Sequence, residues 1–287
     1  GLVETLRGLA RQHNLAILMS THELELALRV ADRVWLLDAA GTLRDAIPEA
    51  HDSRRSALDR VLAELSSVSP YFAVGTGPAH EDGWRPVQQL FTDTALLAEI
   101  VGRVQARIDA TEQRVAASTF FLDFAARLWS IGLGALAGHR LLPDFAPEHL
   151  LFREAGGQIQ LHIQHPVAWQ GDDLEPLLLD IVLESHLAPL TAALRRLGRI
   201  SEKLLVGNAA AALLGAADVF DRHTTSKTGW RLARTLCTDE RLSDAIRFSE
   251  TGYRRTSCCL YYRAPGGGLC GDCVLTSQPR QRRKVAP

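Results

Sequence analysis

The sequence predicts a mainly α-helical fold with one small β-hairpin, an α+β chain, preceded by a short α/β fragment and closed by a four-cysteine segment. Three observations carry this reading. From about residue 54 onward, apolar residues recur every three or four positions, the period of helices that bury one face. One stretch breaks that rhythm: Ile159, Leu161 and Ile163 alternate with Gln160 and His162, the period of a strand with one buried face. Four of the five cysteines fall within sixteen residues, as Cys258, Cys259, Cys270 and Cys273.

The composition sets the bounds. With 287 residues, 46% hydrophobic and 23% charged, the chain is long enough for one or two domains with a buried core, and intrinsic disorder and a disulfide-stapled miniprotein are both excluded. Basic charge gathers at the end, with 13 Lys/Arg against 6 Asp/Glu from residue 221 onward. The last run, Arg280 to Lys284, reads as a disordered basic tail over 277–287. One such run is weak ground for nucleic-acid binding, so no nucleic-acid partner is expected. The most apolar stretch, Phe120 to Gly138, is interrupted by Asp123 and Arg127, so no uninterrupted membrane span is expected. The chain opens on Gly1 without a signal-peptide pattern, and we expect a cytoplasmic protein that lacks its true start, with at most peripheral contact to a membrane.

Taken in order, the first fifty residues read as α/β. Leu2, Leu6 and Leu9 share a helical face, Leu15 to Ser20 form a short apolar run, a helix covers about 24 to 31, and Val34 to Asp38 reads as a second buried strand ending near Gly41. A boundary is expected at 48–54. The helical body follows over 54–250: Ala57, Val61, Leu62 and Leu65 mark its first helix, a Gly/Pro/Ser-rich loop runs from Ser66 to Pro86, and later helices are expected at 88–109, 111–136, 173–197, 201–217, 225–236 and 239–248. Ser201 and Thr238 stand where N-caps belong. The hairpin pairs 149–154 with 158–164 around Ala155, Gly156 and Gly157, which puts His162 on its polar face. The ten histidines show no paired metal spacing, so neither His162 nor His165 is expected to be a ligand. Gly132-x-Gly134 lies in a helix-like run rather than after a strand, so it is no dinucleotide fingerprint.

The chemistry concentrates at 251–276. Cys237 stands apart on a helix and reads as a small buried hydrophobe. For the other four, reduced thiols in a cytoplasmic chain leave three uses. Cys270-x-x-Cys273 suits zinc, but its partner would be the vicinal pair Cys258-Cys259, and adjacent residues chelate one tetrahedral ion poorly. A redox dithiol at Cys-Gly-Asp-Cys lacks a preceding strand, since Pro265 to Leu269 is a flexible loop. A 2Fe-2S cluster needs four thiolates divided between two irons, and a Gly-rich loop can bring the pairs together while its N–H groups face the sulfurs. Arg254, Arg255 and Arg263 flank the cysteines and can offset the charge of such a cluster, and Tyr261 and Tyr262 can line its approach.

The arrangement C-C-x10-C-x2-C, with Gly-Gly-Gly-Leu before its third cysteine, resembles the C-terminal signature of the FhuF-type ferric-siderophore reductases. The likeness continues through RVAASTFFLDFAARLWS (114–130), ESHLAPLTAAL (184–194), VGNAAAALLGA (206–216) and TGYRRTSCCLYYR (251–263), and so covers about 54 to 276. It implies that Cys258, Cys259, Cys270 and Cys273 bind a 2Fe-2S cluster, that the substrate is a ferric siderophore, and that electrons come from a separate flavodoxin, ferredoxin or flavin reductase. One electron loosens such a chelate, because hard anionic oxygens hold Fe(II) less tightly than Fe(III). The rival expectation is a four-cysteine zinc-binding adaptor that catalyses nothing. Upstream, STHELELALRVADRVWLLDAAG resembles the C-terminal end of an iron-siderophore ABC-transporter ATPase. That likeness implies an importer partner and places His22 in the position that contacts the γ-phosphate of ATP, provided the missing phosphate loop lies upstream.

Overall fold

The structure is a computed structural model that describes residues 34–37, 43–47, 52–79, 83–164, 166–171, 173–250 and 252–277, with side chains from residue 57 onward. His22, the strand expected at 15–20, the helices expected before residue 32, His165 and the basic tail lie outside the described residues. Among those described, the chain is mainly helical with three small sheets, the α+β class expected from the sequence. Its strands are β1 (Val34–Leu37), β2 (Leu43–Ile47), β3 (Gly75–Thr76), β4 (Arg85–Pro86), β5 (Leu141–Pro143), β6 (Leu150–Ala155), β7 (Gln158–Ile163), β8 (Ala168–Gln170), β9 (Ile246–Ser249) and β10 (Gly252–Arg255).

The core is built on two long helices. Helix α3 (Gln113–His139) lies along α5 (Glu202–Thr224), with α1 (Asp52–Ser66), α2 (Thr94–Arg107), α4 (Leu174–Leu197) and α6 (Thr228–Leu236) around them. Helix α3 is apolar on every side because it is packed on every side; Phe120, Phe121, Phe124, Leu128 and Trp129 are all buried. Gly132 and Gly134 are small for a steric reason. A Cβ on Gly132 would stand 2.4 Å from Leu178, and one on Gly134 would stand 2.8 Å from Leu65, so both let neighbours close onto the helix. Helices α3, α4 and α5 are long and apolar enough to cross a membrane by length and composition, which the interrupted run at 120–138 does not lead one to expect. Protein buries 78%, 56% and 72% of their most apolar windows.

Three sequence expectations need correction. The strand read at Val34–Asp38 forms as β1, but no strand is read after Gly41; β2 forms there and pairs antiparallel with β1 and with β8, in a sheet ordered β1-β2-β8-β5. The connection at Gly41 is too short for the crossover that a parallel pair needs. The helix expected at 239–248 is a turn followed by β9, which pairs with β10. Thr238 does not cap it, because Asp239 spends its carboxylate on the backbone and guanidinium of Arg241, and Arg241 reaches on to Asp180 and Glu184. Third, His162 is buried: β3 pairs with β7 at Gly75, and the Trp84 ring lies 5.0 Å from the imidazole.

Elsewhere the differences are of extent. The helix expected at 88–109 is cut at Asp93, whose Oδ1 accepts the Leu96 N–H at 3.0 Å and starts α2 afresh. The helix expected to end at 217 runs to Thr224, where Asp221 reaches forward and accepts the Gly229 and Trp230 N–H groups at the start of α6. The hairpin forms around Gly156 and Gly157, both at positive φ, which a two-residue turn of that kind requires.

Within α4, Asp180–Leu187 is wound as a π-helix just before Pro189, a residue with no N–H for the regular ladder. The wider turn carries His186 into the core among Phe91, Phe124 and Phe145, where Nε2 lies 2.7 Å from the Phe145 carbonyl oxygen. Burial pushes its pKa down to about 4. The native state therefore holds this imidazole neutral while the unfolded chain protonates it below about pH 6.5. Stability rests on the neutral form above that pH and is expected to fall, by about 3 kcal/mol in all, as pH drops from 6.5 to 4. Urea unfolding across that range checks it, and His186→Gln is expected to flatten the dependence.

Candidate metal centre

The cysteine segment is tied to the helical body before any metal is considered. Hairpin β9–β10 delivers Arg255, whose backbone N–H bonds the Asp272 carbonyl at 2.9 Å and so closes the segment into a loop. Ser257 Oγ donates to the Lys203 carbonyl at the start of α5, and Ser118 Oγ on α3 donates to the Cys259 carbonyl at 2.6 Å. Gly207 makes the approach possible, since a Cβ there would stand 2.1 Å from Ser257 Oγ.

Within the loop two of the four sulfurs meet: Cys259 Sγ and Cys270 Sγ are 3.2 Å apart, across the loop from one another. None of the four is in a disulfide, whose sulfurs would be about 2.05 Å apart. Cys258 and Cys273 stand beside them, each next to or three residues from a member of that pair. Among the described residues no group of three or more His, Cys, Asp or Glu side chains is drawn together tightly enough to hold a single metal ion. Cys259 and Cys273 are buried, while Cys258 and Cys270 reach partway to the surface.

Hydrogen-bond donors face these sulfurs. The Leu260 N–H reaches Cys258 Sγ at 3.3 Å, and the Leu275 N–H reaches Cys273 Sγ at 3.4 Å. The turn is set by Leu260, which adopts left-handed backbone at φ 68, a conformation that costs a non-glycine residue on the order of 1 kcal/mol and here aims its N–H at sulfur. The sequence leads one to look for such donors in the glycines of 266–268; the Gly267 N–H instead bonds the Ala264 carbonyl at 2.9 Å. Only Gly267 is sterically required, because a Cβ there would stand 1.9 Å from the Tyr261 carbonyl oxygen. Gly267→Ala is thus expected to push the loop open and lower the iron bound per chain, while Gly266→Ala and Gly268→Ala, in open space, leave it unchanged.

Charge is as asymmetric as the donors. Cys259 is held down to about 5, first by its hydrogen bond with Cys270 and then, against the cost of burial, by the Tyr261 N–H and Arg255, while Cys270 is raised as the pair shares one proton. Burial raises Cys258. Of the four, Cys259 is thus the one poised as thiolate, the form that binds metal. Of the three flanking arginines only Arg255 is buried, with its guanidinium on Asn208 and on Asp272 between Cys270 and Cys273. Arg254 donates to the Cys273 carbonyl at 2.8 Å, and Arg263 pairs with Glu112 at 2.6 Å. Tyr261 is exposed and Tyr262 is half-buried with Arg263 over its ring, both at the surface of the segment. Cys237 lies apart as expected, buried among apolar side chains with its thiol pushed up to about 12 by desolvation.

Residues 255–275 match the family model described as the FhuF 2Fe-2S C-terminal domain, and residues 139–256 match that of the ferric iron reductase FhuF-like transporter. Residues 139–275 are FhuF-like. The matched C-terminal domain indicates a 2Fe-2S cluster, and the match over 139–256 is to an oxidoreductase family of the ferric iron reductase type. No curated protein matches the chain. The residues fit the cofactor: four free thiols in one loop, N–H donors on two of the sulfurs and one buried cation on the same segment are what a charged iron-sulfur group requires. The FhuF-like matches begin at His139, so Ser118 on α3, which the sequence likeness includes, lies outside them.

Proposed function

We propose that the protein is a ferric-siderophore reductase in which Cys258, Cys259, Cys270 and Cys273 would hold the 2Fe-2S cluster. The observation that carries the reading is the gathering of four free thiols, two of them 3.2 Å apart, in one loop that matches a FhuF-type 2Fe-2S domain. When bound, the cluster supplies one electron, which takes the Fe(III) of the chelate to Fe(II), and a separate one-electron donor, a flavodoxin, ferredoxin or flavin reductase, restores it. The chain's own residues hold the irons, offset their charge and leave Cys258 and Cys270 near the surface, where electrons can enter and leave.

Arg114, Arg195 and Arg199 line an open recess of about 680 Å³, where Arg114 pairs with Glu112 and Arg195 with Glu202; its basic edge is a landing place for the anionic oxygens of a chelate. We place the activity in the cytoplasm, where free thiols persist. The likeness of the first fifty residues to an importer ATPase supplies a plausible neighbour, the iron-siderophore importer whose cargo this chain would reduce.

The test is a visible absorption and EPR spectrum of anaerobically purified protein, before and after dithionite, with iron, sulfide and zinc measured on the same sample. Bands that bleach, a rhombic S = 1/2 signal and iron equal to sulfide are expected, followed by Fe(II) release from a ferric chelate. Stoichiometric zinc with a featureless spectrum would leave the adaptor reading instead.

A further inference from the structure

A buried polar chain joins three of the sequence stretches singled out above. Ser118 on α3 receives the side-chain N–H of Asn208 on α5, through its Oγ at 2.9 Å and its carbonyl at 3.1 Å. The Oδ1 of Asn208 accepts an N–H of Arg255 at 3.0 Å, and Asp272 Oδ1 accepts another at 3.0 Å. All three side chains that run from the helices to the cysteines, Ser118, Asn208 and Arg255, are essentially buried. Asn208 is thus oriented by its amide nitrogen and uses its oxygen to aim the guanidinium. Arg255 Nε lies 2.9 Å from Asp272 Oδ2 without an aligned hydrogen bond, and the guanidinium is thus held between Asp272, the residue before Cys273, and Asn208, whose partner Ser118 donates to the Cys259 carbonyl.

A buried guanidinium in this position has a definite consequence. Adding an electron to a thiolate-ligated cluster adds negative charge, and a fixed cation beside the sulfurs favours the reduced form, more strongly inside the protein than at the surface. Asp272 offsets part of that charge; Asn208, being neutral, aims the cation without cancelling it. Arg254 and Arg263 are turned to a carbonyl and to Glu112 and do not share the task.

We propose that Arg255 is the residue that sets the reduction potential of the cluster, and that Asn208, locked by Ser118, is the positioning residue that aims it. The inference rests on the cluster assignment above.

The test is a redox titration of loaded protein followed by EPR, with iron and sulfide counted in every variant. Arg255→Gln is expected to lower the ratio of reduced to oxidised cluster at a fixed potential by tenfold or more, a downward shift of at least 59 mV for one electron. Arg255→Lys, which keeps the charge, is expected to recover most of it. Asn208→Ala, which leaves the guanidinium but frees it, is expected to shift the potential in the same direction and decides the matter if Arg255→Gln fails to load. Arg254→Gln and Arg263→Gln are expected to leave the potential unchanged. Equal shifts at all three arginines, or an unmoved potential in Asn208→Ala, would overturn the proposal. A wild-type chain without iron and sulfide would instead overturn the cluster reading itself.

Discussion

Serine at any one of Cys258, Cys259, Cys270 or Cys273 is expected to strip the protein of its cluster, whereas alanine at Cys237 leaves the cluster intact. The five residues are the same amino acid within one chain, so their surroundings decide the difference. Cys237 is buried among apolar side chains apart from the other four, with its thiol pushed up by desolvation alone. The other four gather in one loop, where the Cys259 and Cys270 sulfurs are 3.2 Å apart and the Leu260 and Leu275 N–H groups reach Cys258 and Cys273. Loss of one thiolate leaves an iron three-coordinate or ligated by a harder oxygen, in a loop whose geometry is fixed by the remaining three. Iron and sulfide per chain should fall by more than the ~10- to 100-fold in affinity that partners one shell further out are worth. Truncating Cys237 should instead cost about 1 to 2 kcal/mol of stability as a small core cavity, seen in urea unfolding, with absorption and EPR unchanged. Full iron content in a serine variant at any of the four positions would remove that residue from the ligand set.

The site was legible in the sequence because its residues are close in the chain. Four cysteines in sixteen residues announce a metal whatever the fold, and their flanking arginines can be read off the same line. The division of labour among those arginines could not be read. Arg254 and Arg255 are neighbours on β10 and therefore face opposite ways, and the partners that settle which one matters, Asn208 and Ser118, sit 47 and 137 positions upstream. Asn208 did leave a trace: one polar residue in the Ala/Leu-rich run 206–216 has no business on a buried helix face unless something is hydrogen-bonded to it.

The fold misreadings share one cause. Thr238 with two acidic residues after it is a sound helix start by local rules, yet β10 offered Ile246–Ser249 a pairing partner and Arg241 took the carboxylate. Likewise His162 alternates onto a polar face by period, but β3 and Trp84, from a distant loop, cover that face. Local pattern fixes which residues can form an element, and contacts distant in sequence choose among the options.

Asp272→Asn is expected to act in opposite directions on stability and on potential. Asp272 is the carboxylate partner of a guanidinium whose side chain is 1% exposed, and the two sit in direct contact at 2.9 Å. Removing one charge of a buried pair leaves the other uncompensated, at a cost on the order of 3 kcal/mol, near the low end for such pairs because the asparagine still accepts a hydrogen bond and Asp272 is partly exposed. In the iron-free protein nothing else neutralises Arg255, so that loss should appear in full in urea unfolding. In the loaded protein the anionic cluster takes over the role of counter-ion, so the loss should shrink, and the variant should depend more on its cofactor for stability than the wild type does. The same substitution removes a negative charge from beside the cluster and frees the full field of Arg255, so the reduction potential should rise, opposite in sign to Arg255→Gln. A falling potential, or equal destabilisation of the iron-free and loaded forms, would mean that Arg255 and the cluster do not share a charge balance through Asp272.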